Sequence, residues 1–252
     1  MESRWFFPAV AVIPANLIAQ YALVFVMVVV VPLWDRYEIP RLKASADPRK
    51  KLKFYWRVIA AEWLCTAVAY LALGFATLFR IRTIPGEVNW LTGSPGRYFV
   101  LGLFGAIVVT LLAPAIMALW SENIRKKAAR AAKVLSFLIP ATTEERRWWC
   151  LLCITAGICE ELLYRGFLLR YLHSEPFHLS VNWALVVASI IFGIGHLYQG
   201  VKPALGTVVM GFALGAVFVA TGSLLIPIIV HAFLDLRVLV LLPAGAAGDV
   251  RE

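Results

Sequence analysis

Residues 157–166 of the chain read GICEELLYRG. They lie inside an apolar run from about 148 to 172, which is long enough to cross a bilayer. An ionised side chain at the bilayer centre costs about 2.5–3.5 kcal/mol, so Glu160, Glu161 and Arg165 together would cost about 8–10 kcal/mol unless they pair or meet water. The stretch therefore predicts a polar site inside a membrane-spanning helix.

The composition of the whole chain places this helix in a larger membrane protein. Of the 252 residues, 61% are hydrophobic and 15% are charged, whereas soluble domains are nearly half apolar and about a quarter charged. We therefore expect an all-α fold, a polytopic transmembrane bundle of about 7–8 helices with a polar intramembrane cavity. The apolar runs predict spans at residues 17–34, 54–79, 98–120, 148–172, 181–198, 203–220 and 224–242.

The net charge of +9 is concentrated in two loops, residues 35–57 and 121–147. Basic loops between spans mark the cytoplasmic side of a membrane protein. Such a surface suits anionic lipid headgroups, and we expect the lipid bilayer rather than nucleic acid as its partner. The fourth span then enters from the cytoplasm, and Thr142 with Glu145 has the spacing of a capping box at its start. The apolar residues 134–139 before it are expected on the membrane surface.

The later spans carry further ionisable side chains, at His196, His231 and Asp235. His231 and Asp235 are four residues apart and share one helix face, and His196 shares a face with Phe192. Each of three helices thus presents a polar patch, and we expect these patches to meet in one interior.

Glu161 and Arg165 are also four apart, in the order that favours pairing on a helix. An internal structural ion pair is the better interpretation of these two residues. Because Glu161 then has a partner, Glu160 is left to face His196 and His231 on other helices.

Several other features have plain structural explanations. A lone buried histidine is usually a hydrogen-bonded packing residue, and His173 and His178 lie in a polar connection where we expect them to be solvated. Gly211 and Gly215 have the spacing of a helix-packing face. The four cysteines, at positions 65, 150, 153 and 159, are interpreted as small buried hydrophobes with no redox or zinc role.

One carboxylate and two imidazoles in a protected cavity suit the activation of water. A glutamate can act as the general base, one histidine can hold the water, and a second can donate to the oxyanion that forms at a carbonyl. The chain contains no HExxH zinc motif and no serine nucleophile elbow. A zinc site built from Glu160, His196 and His231 is also compatible with these residue types.

Three motifs stand in order along the chain: EExxxR at 160–165, FxxxH at 192–196 and HxxxD at 231–235. They resemble the motifs of the CAAX-protease and bacteriocin-processing family, also called ABI or glutamic-type intramembrane proteases, which is related to the type II CAAX prenyl endopeptidase. The resemblance covers about residues 145–242. It implies a catalytic core at 141–252, with N-terminal transmembrane helices and basic cytoplasmic loops at 1–140, all within one membrane domain. It also implies a conical cavity open to the cytoplasm, without a cofactor.

The resemblance implies a role for each residue of the motifs. Glu160 would activate water with help from His196, and His231 and Asp235 would stabilise the oxyanion. Glu161, Arg165 and Phe192 would support them.

At the last position the prenyl endopeptidases have asparagine, whereas this chain has Asp235. An ionised aspartate cannot donate to an oxyanion, so we interpret Asp235 as the group that orients and charges His231, which then donates alone.

The expected function is therefore hydrolysis of a peptide bond in a membrane-associated peptide or protein, in a prokaryotic cell membrane. Three alternatives remain open from the residues. They are a non-catalytic membrane immunity or scaffold protein of the same fold, a metal-dependent hydrolase, and a proton-coupled transporter that uses buried Glu and His as relay groups. The chain has no inverted repeat of the kind found in many transporters.

Overall fold

The computed structural model describes residues 15–45, 47–74, 78, 94–132, 135–174 and 177–242. Within these ranges all regular secondary structure is helical, which confirms the predicted helical membrane bundle. The helices are α1 (Ala15–Phe25), a π-helical segment (Val26–Val30), α2 (Val31–Lys43), α3 (Pro48–Leu73), α4 (Ser94–Ala118), α5 (Glu122–Ala132), α6 (Thr143–Glu161), a second π-helical segment (Leu162–Leu168), α7 (Leu169–His173), α8 (Val181–Ile194), a 3-10 turn (Leu197–Gln199), α9 (Val201–Thr221) and α10 (Leu225–Leu241).

Four helices of the described chain are long and apolar enough to cross a membrane. They correspond to the first, second, third and sixth predicted spans. The fifth predicted span is a shorter apolar helix, and the fourth and seventh are the helices that carry the ionisable motif residues. The four membrane-length helices are Asn16–Lys43, Arg49–Leu73, Pro95–Ala118 and Val201–Thr221.

The first span is longer than predicted, because α1, the π-helical segment and α2 follow one another without a break to Lys43. Asp35, placed in a loop by the sequence analysis, therefore lies within a helix. Charged residues alone do not end a helix, and the turn comes only before Asp47, whose side chain accepts a hydrogen bond from the Arg49 N–H and caps α3. The predicted loop at 35–57 was wrong in its extent.

The start of α6 confirms the predicted capping box: the Thr142 side chain accepts from the Glu145 N–H, and the Glu145 carboxylate accepts from the Thr142 N–H. The preceding segment, residues 134–139, was expected on the membrane surface, and its described part packs in part against α3. Leu138 and Ile139 are buried, and the Ile139 carbonyl accepts a hydrogen bond of 2.8 Å from Lys51 Nζ on α3. Apolar residues that find a protein surface to pack against gain nothing by staying in the membrane interface.

α6 lies between α3 and α10. It runs parallel to α3, because contacts at Lys51–Glu145 and Trp63–Thr155 advance in the same direction along both helices. It runs antiparallel to α10, and the two backbones approach closely at Gly157. A Cβ atom at this glycine would lie 2.8 Å from Ala232 Cβ and 2.9 Å from Ala232 N.

α8 and α9 pack on the other side of the site, and glycines again permit the approach. A Cβ at Gly215 would lie 2.3 Å from Leu185 Cδ1, and one at Gly211 would lie 3.0 Å from Phe192 Cδ1. These contacts confirm that Gly211 and Gly215 form a helix-packing face. The arrangement brings the motif-bearing helices together around the end of α6.

Candidate active site

The site lies where α6 gives way to the π-helical segment Leu162–Leu168. Glu160 and Glu161 are the last residues of α6, and all seven residues of the π-helical segment are buried. Single π-helical turns within α-helices occur often at functional sites, since they locally change which side chains share a face. The sequence analysis did not foresee this segment, because a period of 3.6 residues was assumed for the whole span.

Glu161 is the buried centre of the arrangement, with no exposed surface. Its Oε1 accepts a hydrogen bond of 2.9 Å from Arg165 Nη1 and lies 2.8 Å from His231 Nδ1. The predicted Glu161–Arg165 ion pair is thus confirmed. Glu161 also has a second partner that the sequence analysis assigned to another residue.

Arg165 is held on two further sides. Its Nη2 donates to the Gly211 carbonyl at 3.1 Å, and the guanidinium lies 4.4 Å from the centre of the Phe192 ring. A planar cation over an aromatic face is an attractive arrangement that also fixes the plane of the guanidinium. Phe192 supports the site through this stacking.

His231 lies among three carboxylates. Its Nδ1 faces Glu161, while its Nε2 is 3.7 Å from Glu160 Oε2 and 3.6 Å from Asp235 Oδ2. The side chain of Asp235 is 42% exposed, so it borders the site from a more open position. The hydrogen bond to Nδ1 of His231 therefore comes from Glu161, and Asp235, expected to orient and charge this ring, lies within ion-pair range of the other ring nitrogen. Spacing along α10 shows Asp235 beside His231 but cannot show a partner from α6.

Glu160 faces His196 and His231, as the sequence analysis expected. Its side chain is 17% exposed, and its Oε2 has no hydrogen-bond partner among the described residues. The carboxylate interacts electrostatically with His196 and His231. This oxygen is buried and lies within ion-pair range of His231 Nε2 but accepts no hydrogen bond from the described residues, and a buried oxygen in that position is a suitable acceptor for a bound water.

His196 lies beyond the end of α8, in the connection to the 3-10 turn, rather than on the fifth helix as predicted. α8 ends at Ile194, and the ring Nδ1 of His196 lies 2.8 Å from the Phe192 carbonyl. Because a carbonyl only accepts, Nδ1 carries the proton and Nε2 is the free acceptor. The ring packs on Phe192 with 4.7 Å between ring centres.

Two acidic residues from the N-terminal helices also face the site. Glu62 on α3 interacts electrostatically with Glu160 and Asp235, and Asp35 on α2 interacts with Glu160. The sequence analysis assigned neither of them to the site. A signal for Glu62 was available, since it is the single charged residue between positions 58 and 73.

The remaining predictions have mixed outcomes. Cys153 and Cys159 are buried, and Cys65 and Cys150 are half-buried. His178 is exposed, but His173 is half-buried, with its Nδ1 2.8 Å from the Leu179 carbonyl.

Across the described ranges, no three His, Cys, Asp or Glu side chains come together in a geometry that would hold a metal ion.

A comparison with protein-family models matches residues 134–237 to the family described as type II CAAX prenyl endopeptidase Rce1-like. The match covers all three motifs and confirms the family resemblance. The matched family is one of CAAX-type proteases, and together with the apolar helices of the described chain the match supports an integral membrane protein. Searches of curated proteins and of solved structures gave no significant match.

Proposed function

We propose that this chain, which carries the Rce1-like family match over residues 134–237, is an endopeptidase in which Glu160 activates a water molecule inside the membrane. The substrate is a peptide bond of a membrane-associated peptide or protein. His196 assists Glu160, and His231, with Asp235 beside it, donates to the oxyanion. Glu161, Arg165 and Phe192 hold these groups in place.

A single observation carries the proposal. The Oε2 of Glu160 has no hydrogen-bond partner in the described part of the chain and lies 3.7 Å from Nε2 of His231, a ring that is hydrogen-bonded to the buried Glu161–Arg165 ion pair. A general base must reach the proton it abstracts, and the group that stabilises the oxyanion must stand close by. The arrangement of Glu160 and His231 meets both conditions.

The reaction consumes one water and breaks one C–N bond. Glu160 takes a proton from the water, and the hydroxide oxygen bonds to the carbonyl carbon of the substrate. The resulting oxyanion accepts a hydrogen bond from His231. The proton on Glu160 then passes to the leaving nitrogen as the C–N bond breaks, so that a carboxylic acid and an amine are released, which become carboxylate and ammonium by proton exchange, without a covalent enzyme intermediate.

His231 suits the role of donor because of the charges around it. Glu161 accepts from Nδ1–H, and the carboxylates of Glu160 and Asp235 lie on the Nε2 side. Opposite charges at this range stabilise a positively charged imidazolium, in which both ring nitrogens donate.

His196 complements it through its other ring nitrogen, Nε2. Its Nδ1–H is used by the Phe192 carbonyl, so Nε2 can accept a hydrogen bond from the water while Glu160 removes the other proton.

The proposed orientation keeps the basic loops at 35–57 and 121–147 in the cytoplasm of a prokaryotic cell. Contacts between helix ends support the placement of both basic segments on the same side of the membrane. Lys51 near the start of α3 pairs with Glu145 near the start of α6, and Arg146 donates to the carbonyls of Leu239 and Leu242 at the end of α10. The starts of α3 and α6 and the end of α10 therefore lie at one end of the bundle.

The proposal is tested with the purified full chain in detergent, incubated with a library of membrane peptides, with and without a chelator. Products are identified by mass spectrometry. We expect cleavage that survives the chelator and falls by at least about 100-fold in Glu160→Gln, since a general base contributes about 10²–10⁴-fold. Glu144→Gln is the matched control, because Glu144 is exposed at the other end of the same helix.

Each other outcome contradicts part of the proposal. Cleavage lost with the chelator would favour a metal-dependent hydrolase. Cleavage unchanged in Glu160→Gln would remove Glu160 from the mechanism. A folded protein without any cleavage would favour a membrane immunity or scaffold protein, or a proton-coupled transporter.

A further inference from the structure

The ring of His196 needs more than its backbone to hold it in place. The His196 N–H donates to the Gly193 carbonyl at 3.0 Å, and the His196 carbonyl accepts from the Gln199 N–H at 3.0 Å. Within the described chain the ring makes one hydrogen bond, through Nδ1 to the Phe192 carbonyl. Because the χ2 torsion of an imidazole is broad and roughly two-fold, neighbouring side chains must fix the plane of the ring.

Two aromatic rings are such neighbours. The ring centre of Phe192 lies 4.7 Å from that of His196, and the ring centre of Tyr198 lies 6.1 Å away with 29° between the two planes. The second distance is within the range of favourable offset-stacked rings. Phe192 is on α8, one turn before His196, whereas Tyr198 belongs to the 3-10 turn and reaches the imidazole from a different element.

Tyr198 is directed into the protein, while Leu197 beside it is 50% exposed. Tyr198 is half-buried, its hydroxyl accepts a hydrogen bond of 3.2 Å from Gln199 Nε2, and the 3-10 turn contacts α2. It packs against a buried apolar cluster from α2, α3, α6 and the segment before α6. The members of this cluster are Ile39, Leu42, Phe54, Tyr55, Leu138, Trp149 and Cys153.

This packing links His196 to helices that the family match does not cover. The match spans residues 134–237, whereas the cluster residues of α2 and α3 lie between positions 39 and 55. An apolar or aromatic residue in such a cluster ordinarily serves packing alone. Tyr198 also has its ring against that of a histidine of the site, so its position bears on the orientation of that histidine.

We propose that Tyr198 is a positioning residue of the site, whose ring keeps Nδ1 of His196 on the Phe192 carbonyl and so leaves Nε2 free for the water. Through the apolar cluster, α2 and α3 then help to set the place of His196. Tyr198 acts through His196 and does not contact the substrate. This inference rests on the proposed function, because that function assigns Nε2 of His196 to the water.

The cleavage test compares variants of the full chain that keep or remove the ring. Tyr198→Leu and Tyr198→Met keep apolar bulk in the cluster, and we expect kcat to fall by about tenfold with KM unchanged, as for outer-shell partners of histidines in metal sites. Tyr198→Phe keeps the ring and should retain most of the wild-type kcat. Tyr98→Leu is the matched control, because Tyr98 is an exposed tyrosine of α4. Thermal unfolding shows which variants are folded.

A second measurement does not depend on cleavage. Nitrogen NMR spectra of the chain with isotope-labelled histidine are recorded at alkaline pH, where an ordinary imidazole is neutral. The two ring nitrogens give well-separated signals when one tautomer is fixed and closer signals when the tautomers mix. The signals of His196 are identified by their loss in His196→Gln. They should be well separated in the wild type and Tyr198→Phe, and should approach each other in Tyr198→Leu and Tyr198→Met.

His173 provides an internal control in the same spectra. Its Nδ1 also faces a backbone carbonyl, that of Leu179, so its signals should stay the same in every variant of Tyr198. Mixing of tautomers at His196 in Tyr198→Leu, without any cleavage by the wild type, would support the positioning role and contradict the proposed function alone.

Several results would overturn the proposal. Mixed tautomers of His196 in the wild type would do so even if no variant folded, and so would an unchanged kcat and tautomer in a folded Tyr198→Leu variant. An equal loss of kcat in Tyr198→Phe would assign the effect to the hydroxyl. A raised KM with unchanged kcat would place Tyr198 against the substrate instead of His196.

Discussion

At the scale of single residues, the orientation of the His231 ring depends on Glu161. The carboxylate of Glu161 is fully buried and bonds to both Arg165 and His231, so one side chain neutralises a cation and sets the plane of an imidazole. Asp235 is 42% exposed and lies 3.6 Å from the other ring nitrogen. Its interaction with the ring is therefore weaker than that of the buried Glu161. Mutation of Glu161 should therefore lower the activity more than mutation of Asp235.

We predict that Glu161→Gln lowers kcat by about 10–100-fold, as outer-shell partners of working histidines do in metal sites. Asp235→Asn should cost less than about tenfold, since an exposed charge contributes little. The measurement is kcat for one cleaved peptide, normalised to folded protein. Because Glu161→Gln also leaves Arg165 without an ion-pair partner, its thermal unfolding is recorded beside the kinetics.

The opposite ranking would contradict this assignment. If Asp235→Asn abolished activity in a folded protein while Glu161→Gln retained it, Asp235 would be the group that charges and orients His231. That result would restore the interpretation drawn from the spacing along α10 alone.

At the scale of helices, the site depends on the close approach of α6 and α10. Gly157 lies one turn before Glu160, and His231 is adjacent to Ala232, whose backbone touches Gly157. The missing side chain at Gly157 therefore sets the distance between the two helices that carry Glu160 and His231. A backbone neighbour cannot move aside as the end of a flexible side chain can.

We predict that Gly157→Ala separates α6 from α10 and lowers activity strongly. Its Cβ would meet Ala232 N at 2.9 Å and Ala232 Cα at 3.1 Å, and a displacement of about 1 Å at a reacting group can cost about 100-fold in rate. Overpacking of this kind also costs about 1–3 kcal/mol of stability. Cleavage assays and thermal unfolding measure the two effects.

Gly206→Ala is the matched control, because no atom lies within 4 Å of a Cβ built at that glycine of α9. Equal activity of the two alanine variants would show that the α6–α10 contact does not set the geometry of the site.

At the scale of the whole molecule, the N-terminal helices are tied to the core that carries the motifs. Lys51 of α3 pairs with Glu145 at 3.1 Å and donates to the Ile139 carbonyl at 2.8 Å, and Tyr55 donates to the Leu138 carbonyl. These bonds are buried and join residues far apart in sequence. They support the expectation that residues 1–140 and 141–252 fold as one membrane domain, an expectation that remains to be tested.

We predict that Lys51→Met destabilises the entire chain rather than one half. Removing one member of a buried ion pair costs about 3–5 kcal/mol, because the other charge is left buried. Thermal unfolding should therefore shift to lower temperature in a single transition, by the same amount for a probe in α3 and a probe in α10.

Lys50→Met is the control, since Lys50 is exposed on the neighbouring position. Two separate transitions in Lys51→Met, with the α10 probe unshifted, would show instead that the core folds independently of the N-terminal helices.

The sequence by itself determined the helical membrane class, the three ordered motifs and the Glu161–Arg165 pair. These follow from local properties, namely the length of apolar runs and the four-residue spacing that places two side chains on one helix face. The capping box at Thr142 and the packing face at Gly211 are local in the same sense. Spacing also placed Asp235 beside His231, but it could not show which neighbour holds the ring.

Only the tertiary structure decided how the helices meet. The bond from Glu161 to His231 and the position of His196 beyond the end of α8 depend on the tertiary arrangement of separate helices. Between α6 and α10, that arrangement is set by the Gly157–Ala232 contact and by the π-helical turn after Glu161. Such contacts join residues that lie tens of positions apart, so no periodicity along the chain contains them.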